Sequence, residues 1–215
     1  MDEVPGQPRY GYLCDTLMIE CRRYLPWLMK RFRKKGGKIR GEKLKDLFQI
    51  AGQYDVYVNC LGLASREIFG DEEMFPVRGH LIRVHAPWIK NMYYFDGDTY
   101  IYPGQDNVVL GGTREKGEES TEYDEEKFKD VFSRCCHLLP GLKNATIVRK
   151  WVGIRPHRTT LRVEPEFKRV GGKVLKVVHN VGHGGDGVAL SWGTSVTAAK
   201  LVGSIVSSNV NNSKL

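Results

Sequence analysis

A glycine-rich turn is the stretch of this 215-residue sequence with the clearest capacity for chemistry. It reads HNVGHGGDGVALSW from His179 to Trp192, and Gly182, Gly184 and Gly187 have the spacing G-x-G-x-x-G. Glycines at this spacing let backbone N–H groups approach an anion, while the helix that follows directs its positive end toward it. The turn therefore predicts an anionic group at the start of the last helix.

The rest of the dinucleotide-binding pattern does not follow this turn. A dinucleotide fold has a further strand about 20 residues later, with an acidic residue that binds the ribose. Residues 188–215 contain no strand of that kind. The turn is therefore not the first unit of such a fold, and a glycine-rich connection without a ligand is an equal alternative for this motif alone.

Three other segments precede the turn in the chain: TYIYPG with Tyr100, VLGGTREKG with Arg114 and WVGIRPHRTT with Arg155. Taken alone, each of these three side chains is expected to have a structural role. Arg155 could form an ion pair within a sheet, Tyr100 could be a half-buried strand residue, and Arg114 could pair with Glu115.

Periodicity predicts the elements that would position these residues. Helical spacing occurs in YLPWLMKRFRKKGG, which ends at Gly36 and Gly37, in DEEKFKDVFSRCCHLLPG and in VALSWGTSVTAAKLVGSIV. The β-branched run YDVYVNCLGLAS, residues 54–65, predicts a buried parallel strand. Short alternating runs between Gly79 and Val178 predict an antiparallel sheet.

Composition favours a soluble globular protein with an anionic ligand. Hydrophobic residues make up 41% of the chain and the formal net charge is +8. Much of the basic excess lies in residues 30–45, but this run has only Phe32 for base stacking. We therefore expect a solvated helix end there and no nucleic-acid partner. Five cysteines without zinc spacing predict free thiols and no metal site, and the short apolar runs predict no membrane partner.

Taken together, the motifs resemble those of the D-amino-acid oxidase family. The segments that contain Tyr100, Arg114 and Arg155 precede the glycine turn in the family's order, and FPVRGHLIRVHAPW and YDVYVNCLGL add to the match. The segment LGGTR followed by KG is more similar to D-aspartate oxidases than to oxidases of neutral D-amino acids. The resemblance covers the chain from about Tyr10 onward.

The resemblance implies a mixed α/β (α+β) fold with a partial Rossmann-type FAD-binding layer and an antiparallel substrate sheet. Residues 1–65 would form part of the FAD-binding layer, and residues 66–175 would form the antiparallel substrate-binding domain. Residues 176–215 would supply the returning strand, the flavin-facing glycine turn and the C-terminal helix. Family members also carry an earlier strand and a pyrophosphate-binding glycine loop, which have no counterpart after Met1.

The resemblance also implies an FAD-dependent oxidase of D-amino acids, with D-aspartate or D-glutamate preferred. Hydride transfer to flavin N5, reoxidation by oxygen and hydrolysis of the imino acid would give a 2-oxo acid, ammonia and hydrogen peroxide. No protein acid or base is needed if the amine arrives neutral, so His179 and His183 are expected to be hydrogen-bonding scaffold. Ser213, Lys214 and Leu215 form an S-K-L tail that the peroxisomal import receptor reads, which predicts a peroxisomal protein imported from the cytosol. A homodimer is left open.

The family's site residues carry over to matching positions. Arg155 would bind the substrate α-carboxylate, Tyr100 would donate its hydroxyl to the same group, and the Gly185 carbonyl would accept a hydrogen bond from the amine. Arg114 would bind the distal carboxylate of an acidic substrate. The cofactor would be bound by Asn59, Gly62, His183, Gly184, Gly185, Gly187, Val188 and Ala189.

Several positions depart from the family pattern. Asp186 stands where the family has a neutral residue, and a carboxylate there opposes both the flavin and an acidic substrate. His80 replaces a glutamine, and the loop NMYYFDGD carries Asp96 and Asp98 and lacks the additional arginine of many aspartate-preferring members. Asp186 and the missing phosphate loop favour the alternative of a non-catalytic relative that binds a ligand or a protein through the substrate sheet, whereas Tyr100 and Arg155 favour catalysis. The loop NMYYFDGD opposes only the preference for acidic substrates.

Overall fold

A computed structural model describes residues 14–95 and 98–212 of the chain. These residues divide into two compact units, which are described separately. Unit 1 contains the described residues up to Ile39 together with Arg78–Ile154, and unit 2 contains Arg40–Val77 and the residues from Arg155 onward. The chain passes between the units within two long strands, β2 (Met74–His85) and β7 (Thr146–Arg162).

The three predicted helices are confirmed. They are α1 (Cys21–Lys34), which ends before Gly36 at a φ of 86°, α3 (Glu125–Leu138) and α4 (Gly187–Asn212). The side chain of Asp124 caps α3 by accepting a hydrogen bond from the Lys127 N–H at 3.2 Å. A short helix that the periodicity did not predict, α2, spans Ser65–Phe69 and ends at Gly70 in the left-handed conformation.

The antiparallel sheet predicted between Gly79 and Val178 is present in part. Besides β2 and β7 it contains β3 (Tyr93–Phe95), β4 (Thr99–Pro103), β5 (Val108–Gly111), the short β6 (Glu115–Lys116) and β10 (Val181–His183). The strand order is β10-β7-β2-β5-β4-β3, and β6 pairs with β2.

The core of unit 1 lies between this sheet and α3. Alternation along β2, β4 and β5 directs one set of side chains toward the helix. The buried cluster includes Ile82, Val84, Ile101, Val108, Leu110, Phe128, Val131, Cys135 and Leu142. Burial in this cluster raises the pKa of the Cys135 thiol to about 12, so this cysteine is a packing residue.

Unit 2 is built on a separate three-stranded sheet. Its strands are β1 (Tyr57–Asn59), β8 (Pro165–Val170) and β9 (Lys173–His179), in the order β1-β9-β8. The prediction that β1 is parallel is confirmed, because it pairs with β9 in parallel register, but the predicted burial is only partial: Asn59 is buried, whereas Val58 is 49% exposed. The helix α4 packs on β9 around Val178, Ala198 and Ile205.

The hairpin of β8 and β9 differs from the sequence-based expectation. Its alternating residues were assigned mainly to the antiparallel substrate sheet, whereas the structure places both strands beside β1. The two strands are joined by Gly171 and Gly172, which have φ values of 54° and 76°, as a tight two-residue hairpin requires. Alternation reveals such a hairpin but not the sheet that it joins. The cofactor-binding and substrate-binding roles of the three predicted segments stay predictions.

Among the described helices, none combines the length and the apolar character needed to cross a membrane.

Candidate functional site

The glycine turn of unit 2 connects β9 to α4, as the sequence predicts. After His179 the chain forms β10, then a short 3-10 turn at Gly184–Asp186, and α4 begins at Gly187. Gly184 has a φ of 56°, and a Cβ on it would overlap with the ring of His157. This backbone therefore requires glycine, and it brings the main chain to the amino end of a 26-residue helix.

A cavity of about 340 Å³ lies against this turn, within unit 2. Two loops form most of its wall, one after β1 and one after β9, because parallel strands bring their carboxyl ends to the same edge of a sheet. The lining residues are Cys60, Gly62, Pro156, Asn180, Val181, Gly182, His183, Gly184, Gly185, Gly187 and Val188. Six residues predicted to bind the cofactor, Gly62, His183, Gly184, Gly185, Gly187 and Val188, are among them.

The other two predicted cofactor residues stand outside this lining. Ala189 is an exposed residue in the first turn of α4. Asn59 is buried at the end of β1, and its amide group is hydrogen-bonded to protein atoms. Its Oδ1 accepts a hydrogen bond from the Leu61 N–H at 3.0 Å, and its Nδ2 lies 3.0 Å from Nδ1 of His179.

Arg155 lies next to the glycine turn, although 30 positions separate it from Gly185 in the sequence. It is a half-buried residue of β7 in unit 2. A Cβ built on Gly185 would be 3.6 Å from Cδ of Arg155 and 3.9 Å from its Nε. The structure therefore brings together two residues that were predicted to bind opposite ends of an amino acid's backbone.

Tyr100 is a half-buried residue of β4 in unit 1, and its ring lies over a pair of glycines. It is paired with Gly111 of β5, where a Cβ would overlap with the ring, and a Cβ on Gly112 would be 3.0 Å from the hydroxyl. The ring is also stacked between Tyr94 and Tyr102, with centroid distances of 6.4 and 4.5 Å. Sequence reasoning missed this role of the glycines, which the letters LGG in LGGTR could have indicated.

Arg114 is an exposed residue of unit 1 with a local partner. Its Nε donates a hydrogen bond to Oδ1 of Asp98 at 3.0 Å, and the arginine side chain is 54% exposed. The expected alternative partner, Glu115, instead accepts a hydrogen bond from Nε of Arg78 at 2.7 Å. Arg114 is therefore an exposed cation with a local carboxylate partner, which is the kind of structural role that the sequence left open for it.

The histidines near these sites are neutral hydrogen-bonding groups. His183 contacts the Thr194 hydroxyl at 3.1 Å, and burial lowers its pKa. His80, which stands where the family has a glutamine, is fully buried in β2, and its Nδ1 lies 2.9 Å from the Thr113 hydroxyl. Burial, followed by the charge of Arg78, lowers the pKa of His80. Within residues 14–95 and 98–212, no group of three or more His, Cys, Asp or Glu side chains could hold a metal ion.

A cluster of charged side chains in unit 2 lies next to the glycine turn, since a Cβ on Gly182 would be 2.6 Å from Cβ of Arg158. The carboxylate of Asp71 accepts hydrogen bonds from Nε of Arg158 at 3.0 Å and from Arg162 at 3.0 Å. Burial alone would raise the pKa of Asp71, but the hydrogen bonds and charges of both arginines outweigh it and lower the pKa. Arg162 also donates to Glu166 at 3.0 Å, which in turn contacts Nε2 of His179 at 2.8 Å.

The comparisons of this sequence with known proteins agree on one protein family. Residues 3–201 match the family model described as FAD dependent oxidoreductase. The chain is 43% identical over 208 residues to the D-aspartate oxidase of Homo sapiens, covering 95% of this chain and 61% of the relative. It is 38% identical over 213 residues to the D-amino acid oxidase of Dugesia ryukyuensis, covering 96% of this chain and 62% of the relative. The chain thus spans about three fifths of the length of these relatives.

Solved structures support the same fold. Glycine oxidase from Geobacillus kaustophilus superposes with a TM-score of 0.60 at 24% identity, over 68% of this chain and 41% of the other. Glycine oxidase from Bacillus cereus superposes with a TM-score of 0.61 at 20% identity, over 70% and 43%. These likenesses show a shared mixed α/β architecture, as the sequence predicted.

Proposed function

Because this chain belongs to the FAD dependent oxidoreductase family, we propose that the protein is a D-amino-acid oxidase that prefers acidic substrates. The reaction removes a hydride from the substrate α-carbon and a proton from its amine, and water then hydrolyses the imino acid to a 2-oxo acid and ammonia. FAD, when bound, supplies the acceptor for the hydride and passes both electrons to oxygen, which becomes hydrogen peroxide. The main support from this chain is the approach of Arg155 to Gly185 beside the cavity of unit 2.

The residues around this cavity fit a planar, electron-accepting cofactor. Glycines at positions 62, 184 and 187 leave backbone groups accessible, and a Cβ on Gly62 would lie 3.4 Å from Pro156. The first turn of α4 presents N–H groups that have no partners within the helix. Such donors stabilise negative charge, which is what a flavin ring acquires on reduction. Gly62, Gly184 and Gly187 would therefore hold the ring edge through their main chain.

Substrate binding is assigned to Arg155, Gly185 and Tyr100. The planar guanidinium of Arg155 suits the α-carboxylate, since paired N–H donors match its two oxygens. The Gly185 carbonyl would accept a hydrogen bond from the substrate amine, so carboxylate and amine would be bound by adjacent groups of unit 2. The hydroxyl of Tyr100, which its two glycines position, would donate to the carboxylate. These contacts would fix the direction of the α-hydrogen.

The acidic preference is assigned to Arg114. The relative of Homo sapiens is named a D-aspartate oxidase, and this chain carries an arginine in the LGGTR segment. A distal carboxylate would replace Asp98 as the partner of Arg114, whereas a neutral substrate would leave the existing ion pair unchanged. The peroxisomal location stays a prediction, because Ser213, Lys214 and Leu215 lie outside the described residues.

The proposal is tested by adding FAD to the purified protein, recording the visible spectrum, and measuring peroxide with D-aspartate, D-alanine and L-aspartate. We expect a bound-flavin spectrum and peroxide only with the D-amino acids, fastest with D-aspartate. Absence of both signals would refute the oxidase and favour the non-catalytic relative. Peroxide with D-alanine but not with D-aspartate would remove Arg114 from its role.

A pair of variants tests the role of Arg155. Arg155→Ala should lower kcat/KM by at least about 30-fold, since truncating one side of a buried charged contact costs about 2–5 kcal/mol, and should leave FAD binding intact. The control, Arg149→Ala, removes an exposed arginine of the same strand and should leave kcat/KM unchanged. Equal effects of the two substitutions, or joint loss of FAD binding and turnover in Arg155→Ala, would contradict the assignment.

A further inference from the structure

We propose that His179 is a positioning residue that fixes both cavity-forming loops of unit 2 through one hydrogen bond to Asn59. The inference rests on the proposed function, because it takes the cavity as the place where the flavin ring binds. The two loops are Cys60–Gly62, which follows β1, and Asn180–Gly187, which follows β9. Neither residue lines the cavity itself, so their effect on a ligand must pass through the main chain.

His179 is completely buried and its ring is fixed on three sides. Nε2 lies 2.8 Å from Oε2 of Glu166, Nδ1 lies 3.0 Å from Nδ2 of Asn59, and the ring meets that of Phe69 edge-on at 5.1 Å. An amide NH2 can only donate, so Nδ1 must accept and the proton must be on Nε2, which donates to Glu166. The two contacts therefore specify one neutral tautomer.

Burial, followed by the charge of Arg162, keeps His179 neutral. Burial lowers its pKa, the nearby Arg162 lowers it further, and the opposing effect of Glu166 is smaller. Glu166 is itself held by Arg162 at 3.0 Å, so the acceptor for Nε2 stays in place. Asp71, the other carboxylate facing this cluster, also raises the pKa of His179, but less than Glu166 does. The ring is therefore a fixed acceptor aimed at Asn59.

Asn59 is hydrogen-bonded to the first residues of both loops, so its position affects the geometry of each loop. With Nδ2 held by His179 and by the Ser65 hydroxyl, each at 3.0 Å, the amide plane is set so that Oδ1 accepts from the Leu61 N–H at 3.0 Å, which begins the first loop. The main-chain oxygen of Asn59 accepts from the Asn180 N–H at 2.9 Å, which begins the second loop. Asn59 thus contacts the first residues of both loops, and the hydrogen bond that its Nδ2 donates to His179 orients its side chain.

Two substitutions test the two hydrogen bonds of the His179 imidazole separately. In His179→Asn the new Oδ1 takes the place of Nδ1, because both atoms are two bonds from Cβ. This variant therefore keeps the acceptor for Asn59 and loses the donor to Glu166. In His179→Gln the side-chain NH2 reaches the position of Nε2, so the donor to Glu166 is kept and the acceptor for Asn59 is lost. Both variants lose the ring that packs on Phe69, which makes them matched controls for packing.

The first readout is amide hydrogen exchange of the protein without ligand, followed at Leu61 and Asn180. We expect His179→Gln to accelerate exchange at both amides by about 10-fold, the effect of losing one buried hydrogen bond, and His179→Asn to stay within about 3-fold of the wild type. A further control, His80→Gln, replaces the other fully buried histidine and should leave these two amides unchanged.

The second readout is FAD affinity by titration. His179→Gln should raise the Kd about 10-fold and His179→Asn should change it little. Equal acceleration of exchange in the two variants would overturn the inference and make His179 a packing residue only. If the wild type binds no FAD, the proposed function fails, while the exchange pattern still decides whether His179 positions the loops.

Discussion

Removal of the Asp71 carboxylate is the strongest stability test that the structure offers. The side chain is almost fully buried and accepts three hydrogen bonds from guanidinium groups, two from Arg158 at 3.0 and 3.2 Å and one from Arg162 at 3.0 Å. Asp71→Asn keeps the size but leaves two mostly buried cations without this counter-charge. Breaking such a pair costs about 3–5 kcal/mol.

The lower end of that range applies here, because each arginine keeps another partner. Arg158 still contacts Glu73, and Arg162 still contacts Glu164 and Glu166. We therefore expect Asp71→Asn to lower the free energy of unfolding by about 3 kcal/mol. For a chain of this length this corresponds to a decrease in Tm of about 6–12 °C.

The pH dependence follows from the same contacts. In the folded state the pKa of Asp71 lies below its usual value of 3.8. The stability that its ion pairs contribute is therefore fully present above pH 3.8 and is lost as the pH falls through the folded-state pKa. The difference in stability between wild type and Asp71→Asn should therefore be constant near neutral pH and decrease below about pH 4.

Urea unfolding at neutral and acidic pH, followed by circular dichroism, measures these quantities. The matched control is Glu73→Gln, because Glu73 accepts one hydrogen bond from Arg158 but its side chain is 53% exposed. This exposed pair should contribute less than about 1 kcal/mol. Similar small losses for Glu73→Gln and Asp71→Asn at neutral pH would refute the reasoning that Asp71 is the centre of the cluster.

Three further predictions concern unit 1. Phe128→Ala should lower the free energy of unfolding by about 3–5 kcal/mol in urea titrations, because the ring is 1% exposed at the centre of the core; a loss below about 1 kcal/mol would mean that the core refills the space. Gly111→Ala should lower the free energy of unfolding by about 1–3 kcal/mol in the same assay, since the new Cβ would displace the ring of Tyr100. The near-ultraviolet circular dichroism of the tyrosines should also change. An unchanged spectrum would show that the ring does not occupy this position. Asp98→Asn should lower the KM for D-aspartate about 2–5-fold in the peroxide assay and leave that for D-alanine unchanged, because it frees Arg114 from an exposed ion pair; equal changes for both substrates would contradict the role of Arg114.

The helices, the strands and the glycine turn could be predicted from local sequence patterns. The strands with which each strand pairs could not. The acidic cap before α3 and the glycines after α1 are signals carried by adjacent residues, so both helices were identified. The sheet that β8 and β9 join depends on pairing with β1, more than 100 positions away, and alternation contains no information about that partner.

The same limit applies to the candidate site. That Arg155 lies over Gly185 depends on how β7 passes the turn, which no spacing reveals. Glu115 was only the structural alternative for the partner of Arg114. In the structure Arg114 pairs with Asp98, and Arg78 binds the Glu115 carboxylate across the sheet. The roles of His179 and Asp71 were also missed, since a buried polar network is visible only when all its members are in place.

The contact between Asn59 and His179 joins positions that are 120 residues apart, which has a consequence for synthesis on the ribosome. Closing a chain segment of that length costs about 4 kcal/mol of entropy before parallel pairing returns any stabilisation. Strand β1 therefore emerges long before its partner, and a nascent chain halted ahead of Lys173 has the residues of unit 1 but no cavity. A premature stop codon ahead of the codon for Lys173 would remove β9, the glycine turn and α4, which line or support the cavity, and would leave the residues of the core of unit 1 in the chain.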